Sequence, residues 1–595
     1  MKIWIQFISF AFLTLLTDAT ILYDPEKISG RVFDYIIVGG GLTGLTAAAR
    51  LTTNQYISVL VIESGFFQST RGPIVETVTP FGQAFGTSLD HAFQTVPLKI
   101  NGRSLTIHAG KCLGGSSLIN GASYTSPAKI QIDFWESHLG NKGWNWKTLY
   151  PYIKKKERAH PPTKEQIAAG FSFDLKCHGE YGKINVSPRD SGERYSPIIR
   201  SLMTAVERRG VPTQKDLNCG DPHGVSMLLN TIHPNQTRAD AARELLLPIA
   251  SRPNLWIIVG QNVGKVLIDR LSAKGVEFGT EAHTFHVYSH HEVILAAGAL
   301  VTPLILEYSG IGLKSVLDAA GVSQIVDLPV GQNLQDQSTT GVQASINTDG
   351  SGQGQAIYFA TWSELFSASD LATARGLLDS QFDQWVADAV QEGGFDNSTA
   401  LKIQMGLNRE LILHHNVSYV ELFLDISPEG VGFSVWVLLP FTRGYVHILH
   451  KDPYLGKVTR NPRYLENDLD RYAQAAASLL ARDLFSDPAM RPYVRQEEFP
   501  GATVPYNATV DDWVPFVTQN FQPNYHAIGT CSMMGREMGG VVDPSGRVYG
   551  VQGLRVIDAS IIPQQLSSHL SAVLYGMSER LADLILEDYE KKLEK

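Results

Sequence analysis

The chain has 595 residues, 44% hydrophobic and 18% charged, an ordinary globular composition with enough length to bury a large core in two or more lobes. A formal charge of -9 excludes a nucleic-acid partner, because a phosphate-binding face needs concentrated Lys and Arg and no basic run occurs. Past the N-terminus no apolar run is long enough to span a bilayer, which excludes a membrane partner.

In chain order, Met1 and Lys2 precede an apolar stretch from Ile3 to about Leu16. One early positive charge and a short apolar core predict a signal peptide over 1–19 and a secreted product. Residues 34–38 are apolar and β-rich, as a buried parallel strand requires. A glycine-rich turn follows, with Gly39, Gly41 and Gly44 in the spacing GxGxxG and Leu42 and Thr43 between them. Residues 45–51 are Ala-rich and helix-prone, and 58–62 form a second apolar strand ending at Glu63.

Strand, glycine turn, helix, strand and acid make up a dinucleotide-binding βαβ unit. Gly39 permits the tight turn, Gly41 admits the pyrophosphate, and Gly44 lets helix and strand approach. The helix N-terminus offers free N–H groups to the phosphates, and Glu63 can accept from a ribose and repel a 2′-phosphate.

Later apolar runs at 292–297 and 554–558 read as further strands of the same sheet. The expected fold class is therefore α/β: a Rossmann-like domain assembled from 30–130, 241–340 and 541–595. Residues 131–240 and 341–540 supply an α+β, antiparallel-sheet substrate domain.

Cys177 and Cys219 lie in polar, Gly- and Asp-containing contexts and are the expected disulfide, although four cysteines allow three pairings. Cys112 and Cys531 read as buried thiols. Sequons at Asn185, Asn235, Asn397, Asn416 and Asn507 agree with export and glycosylation. No metal site is expected.

Residues 110–120 (GKCLGGSSLIN) and 298–312 (GALVTPLILEYSGIG) resemble the two signature motifs of the glucose–methanol–choline oxidoreductase family along their whole length. The resemblance runs through the rest of the chain and is strongest to the family's fungal glucose-oxidising members. It implies FAD as cofactor, with Leu42, Thr43, Glu63, Ser116, Asn120, Gly121, Val263 and Asp558 in contact with it, bound noncovalently. His108, just before the first motif, does not match the spacing of a flavin-linking histidine. The resemblance also implies a homodimer.

Oxidising an alcohol removes a hydride and a hydroxyl proton, and histidine is the usual base for that proton. Among 17 histidines, His526 and His569 stand out by context, the second just past the strand expected at 554–558. The resemblance makes His526 the general base, His569 the second hydroxyl ligand and Glu421 the carboxylate that orients His569. Phe423, Trp436, Gln522 and Tyr525 are the expected substrate contacts.

Several pocket positions depart from the family's glucose-binding members. Gln522 stands where they carry Arg, Ser434 where they carry Asp, Phe67 where they carry Tyr, and Tyr124 where they carry Trp. Losing groups that bind sugar hydroxyls lowers selectivity for sugars. The expected function is FAD-dependent oxidation of the CH–OH group of a small alcohol less polar than glucose, in secondary metabolism, with O2 or another electron acceptor. Oxidation of β-D-glucose at its 1-position and a flavin-retaining non-redox cyclase are the alternatives.

Overall fold

Tyr35, Ile36, Ile37 and Val38 are buried without alternation, as expected of a strand covered on both faces. They belong to Val32–Val38, the centre of the main sheet. In a computed structural model, the chain is described over residues 21–594 except 70–71, 79–80, 190–196, 348–354 and 428–429. The signal expected over 1–19 lies outside the described residues.

The sheet has eight strands, running Ile21–Leu22, Leu255–Ile258, Val59–Ile62, Val32–Val38, Thr284–Leu295, Ser272–Gly279 and Asn262–Asp269, with Leu554–Val556 also paired to Thr284–Leu295. Its core is parallel, and the three strands from Asn262 to Leu295 fold back as an antiparallel flap. Asp34 fixes the central register by accepting from the backbone N–H and the hydroxyl of Ser58, each at 2.7 Å. The helix Leu42–Leu51 begins three residues earlier than the sequence predicts, directly after Gly41, because the turn itself supplies its first residues. It packs against the C-terminal helix Ser571–Leu593, where Arg50 pairs with Glu579 and Asp583.

A second, antiparallel sheet of seven strands runs Val494–Phe499, Ser338–Ile346, Gly430–Val437, Val420–Ser427, Gln355–Ala360 and Gly224–Met227, with Gln522–Pro523 also paired to Ser338–Ile346. The strand Ser338–Ile346 runs across residue 340, where the expected domain boundary falls. The helix Asp468–Phe485 packs on the sheet. Gln522, Thr339, Trp436 and Glu421 form one cross-strand row. Strand alternation puts Phe423 and Ser434 on the same face as that row.

Cys177 and Cys219 form a disulfide, while Cys112 and Cys531 are free and buried. Beside the disulfide, the fully buried ring of His178 lies 2.6 Å from Glu157 and 2.8 Å from Asp216. Asn235, Asn416 and Asn507 are exposed. Asn397 caps the helix Ser398–His414 by accepting from the N–H of Ala400. Asn185 corrects the sequence reading: it is buried in the strand Ile184–Pro188. Its amide donates to Glu244 at 2.8 Å and its oxygen faces His160 at 2.7 Å, so the fold leaves no room for a glycan there. Among the described residues no helix is long and apolar enough to cross a membrane.

Candidate active site

The glycine turn and the 110–115 loop are built against each other. A Cβ on Gly44 would lie 2.0 Å from the carbonyl oxygen of Gly39, and one on Gly39 would lie 2.4 Å from that of Ala296. Gly115, at φ +54°, would place a Cβ 2.7 Å from the Cα of Gly41. At Gly41 itself the nearest atom to an added Cβ is 3.8 Å away, so open space lies above this residue alone of the three fingerprint glycines.

Gly41 is also the N-cap of the helix and supplies no capping side chain. The first-turn N–H groups of Leu42, Thr43 and Gly44 therefore point out of the helix without an intrahelical acceptor. Open space over free N–H groups at a positive dipole end fits a pyrophosphate. The residues present thus fit a dinucleotide such as FAD.

Glu63 is buried at the end of Val59–Ile62 and accepts from the N–H groups of Gly40 and Gly65, each at 2.8 Å. Burial pushes its carboxyl upward, and these two bonds oppose the shift. The carboxylate clamps the turn and keeps lone pairs for a ribose.

Asp558 is bound more completely. One oxygen accepts from Gly298 N–H and the Thr302 hydroxyl, and the other accepts from the N–H and hydroxyl of Ser560. Its side chain has four donors for four lone pairs, so a cofactor contact from this residue falls to its main chain. Ser116 accepts from Gly110, and the Asn120 side-chain oxygen accepts from Ala122 and Arg238. An added Cβ on Gly121 would face the ring of the half-exposed Phe81. Val263 lies in the flap strand Asn262–Asp269.

The two histidines meet although 43 residues separate them in sequence (569 − 526). Their ring centroids are 5.3 Å apart and the rings stand at 86° to each other. Nε2 of His569 lies 3.0 Å from Oε1 of Glu421, and the backbone N–H of His569 donates to Thr125. Glu421 is fully buried, and its other oxygen has no hydrogen-bond partner among the described residues. Burial pushes the Glu421 carboxyl upward against the opposing pull of His569. Burial, then the neighbouring His569, pull His526 down to about 3, so its imidazole is neutral over the working pH range of most proteins.

Phe423 and Trp436 wall the pair, with ring centroids 6.2 and 5.9 Å from that of His569. Gln522 and Ser434 are exposed on the same sheet face. Tyr525, at φ +64°, turns its ring instead toward Phe85 and His108. His108 is engaged by Asp90 at 2.5 Å and stacked on Phe85, 3.9 Å between centroids. Phe67 packs against the core, and Tyr124 is buried.

Sequence reasoning missed the groups that hold His526. Asp336 accepts from the His526 N–H at 2.8 Å, Gln337 meets its Nδ1 at 2.8 Å, and Gln565 donates to its carbonyl at 2.8 Å. Asp336 is pushed up to about 6 by burial, against bonds from Tyr464, His526 and Gln337. The available signal was the polar run of residues 333–337, where Asn333, Gln335, Asp336 and Gln337 are all buried.

A parallel dinucleotide sheet whose last strand leads to His569, beside an antiparallel sheet that carries Glu421 and leads from Gln522–Pro523 to His526, defines a flavin-dependent oxidoreductase of the alcohol-oxidising class. The GMC oxidoreductase family models match residues 33–339 and 440–578. The chain belongs to this family and is an FAD-dependent oxidoreductase acting on CH–OH donors. It is 55% identical to a glucose oxidase of Aspergillus carbonarius, over 96% of this chain and 95% of that one. It is 37% identical to the glucose oxidase-like protein fsoC of Humicola fuscoatra, over 93% and 95% of the two chains. Among solved structures it resembles an FAD-dependent oxidoreductase from Chaetomium thermophilum, with TM-score 0.80, 30% identity and coverage of 94% and 100%. It also resembles a fungal aryl-alcohol oxidase, with TM-score 0.82, 26% identity and coverage of 94% and 99%.

Proposed function

We propose that the protein oxidises a small alcohol less hydroxylated than glucose and passes the electrons to O2. The observation that carries this reading is the imidazole of His526 set 5.3 Å from that of His569, beside a sheet face where Ser434 and Gln522 offer no charge.

The proposed division of labour follows from the contacts. Leu42, Thr43, Gly44 and Glu63 hold the dinucleotide, with Ser116, Asn120, Gly121, Val263 and the main chain of Asp558 around it. Bound FAD supplies the two-electron acceptor. His526 takes the substrate hydroxyl proton, His569 binds the same hydroxyl, and Glu421 orients His569. Phe423 and Trp436 exclude water and pack the apolar body of the substrate, with Gln522 and Tyr525 at its margin.

The chain is proposed to be a secreted homodimer carrying glycans at Asn235, Asn397, Asn416 and Asn507. The domain division proposed is that of the sequence reading, with the boundary near 340 moved before Ser338 so that no strand is cut.

The test is anaerobic bleaching of the flavin by a panel of aliphatic, aryl and sugar alcohols. Aryl or aliphatic alcohols are expected to reduce it with higher kcat/KM than glucose. The paired change Ser434→Asp with Gln522→Arg is expected to raise sugar efficiency roughly tenfold or more, since bidentate charged contacts to hydroxyls are restored. The four fungal glucose oxidases at 51–55% identity favour glucose itself as a second reading, and glucose emerging as the best substrate in the panel would establish it.

A further inference from the structure

We infer that Gln337 is a positioning residue that decides which nitrogen of His526 acts as the base. The inference rests on the reading of His526 as base and adds the group that sets its tautomer.

The orientation of Gln337 is fixed from its far side. Its Nε2 donates to the carbonyl oxygen of Leu438 at 3.1 Å, and a carbonyl can only accept. The amide oxygen must then face the other way, where it lies 2.8 Å from Nδ1 of His526. Asn524 reinforces this arrangement: its side-chain amide donates to the same oxygen at 3.0 Å, and its backbone N–H donates to the carbonyl of Gln337 at 2.9 Å. Gln337 is fully buried, so no water competes for that oxygen.

An amide oxygen facing Nδ1 requires a proton on Nδ1. A neutral imidazole carries one proton, so the lone pair resides on Nε2, which is held by no protein group among the described residues. The substrate hydroxyl proton passes to Nε2. The resulting imidazolium keeps its Nδ1–H on Gln337, so the ring need not turn during the transfer. Without the Gln337 oxygen, the remaining neighbour of Nδ1 is the Asn524 amide nitrogen at 3.1 Å, a donor. That contact selects the opposite tautomer, with Nε2 protonated and unable to accept.

Gln337→Leu keeps the volume and removes the acceptor, while Gln337→Glu keeps an acceptor and adds charge. Both holoenzymes are compared with the native one and with His526→Ala by anaerobic stopped-flow reduction across pH, alongside bound-flavin stoichiometry and substrate Kd. Gln337→Leu is expected to slow reduction by roughly 10²-fold or more, the usual contribution of a positioned base, with flavin content and Kd changed less than about threefold. Gln337→Glu is expected to keep reduction within about tenfold of native and to move the acid limb of the profile to higher pH, because a carboxylate favours the imidazolium.

A Gln337→Leu rate within tenfold of native would overturn the inference. So would equal losses in both variants with an unmoved acid limb, which would mark a packing role. If His526→Ala reduces at the native rate, the base assignment fails instead. Loss in His526→Ala but not in Gln337→Leu fails the present inference alone.

Discussion

Oε1 of Glu421 lies 3.0 Å from Nε2 of His569, while the second oxygen of the same carboxylate is buried with no hydrogen-bond partner among the described residues. A buried carboxylate with one satisfied oxygen costs free energy unless a charged or proton-sharing partner offsets it. The contact with His569 is the interaction that offsets this cost for Glu421. Glu421→Gln preserves shape and removes the charge. Its kcat/KM is expected to fall by roughly ten- to a hundredfold, the usual effect of losing a group that orients a functional histidine. Steady-state kinetics with flavin content measured in parallel would check this, and an unchanged kcat/KM would remove Glu421 from the machinery.

Burial and the nearby His569 pull His526 from 6.5 to about 3. The rate of anaerobic reduction is therefore expected to hold well below pH 6.5 before its acid limb sets in. The same shift bears on stability. An unfolded histidine binds its proton near pH 6.5 and the folded one only near 3, so stability falls as pH drops through this window. His526→Ala should flatten that part of the unfolding profile, as seen in Tm against pH, and an equally steep profile in the variant would contradict the assignment.

His178 has the opposite sign. Burial alone lowers it, but Asp216 and Glu157 override burial and raise it to about 9. Its stabilising effect is full below pH 6.5, the unfolded value, and is lost as pH rises through 9. His178→Gln leaves two buried carboxylates without their cation and is expected to cost about 3–5 kcal/mol at neutral pH. Denaturant unfolding of both proteins at pH 7 and pH 10 checks this; the difference between them should shrink at the higher pH.

Gly41 and Gly44 are expected to separate cofactor binding from folding. An added Cβ at Gly44 strikes backbone at 2.0 Å, whereas at Gly41 it meets nothing nearer than 3.8 Å. Gly44→Ala should yield little folded protein. Gly41→Ala should fold but fill the space over the free N–H groups, weakening FAD by roughly ten- to a hundredfold, as overpacking by about 1–3 kcal/mol implies. The ratio of flavin to protein absorbance, with circular dichroism for folding, distinguishes the two, and normal flavin content in Gly41→Ala would show that the phosphates lie elsewhere.

The cofactor turn was legible in sequence because its requirements are local. A β-rich run, three glycines at set spacing and an Ala-rich helix each answer to a steric or periodic rule acting over a few residues. His526, His569 and Glu421 were legible through motifs that surround them. Their meeting at one place was expected only through the family resemblance and not from local pattern, since it depends on how a parallel sheet built from distant segments docks on an antiparallel one. The same reason hid Gln337, which touches His526 across 189 residues of chain, and hid the burial of Asn185 against Glu244, 59 residues away. Hydrogen-bond partners of buried side chains are chosen by tertiary packing. Residue type and spacing therefore identified a dinucleotide turn, the family resemblance of the motifs identified the chemistry, and the folded chain alone shows which nitrogen of His526 faces Gln337.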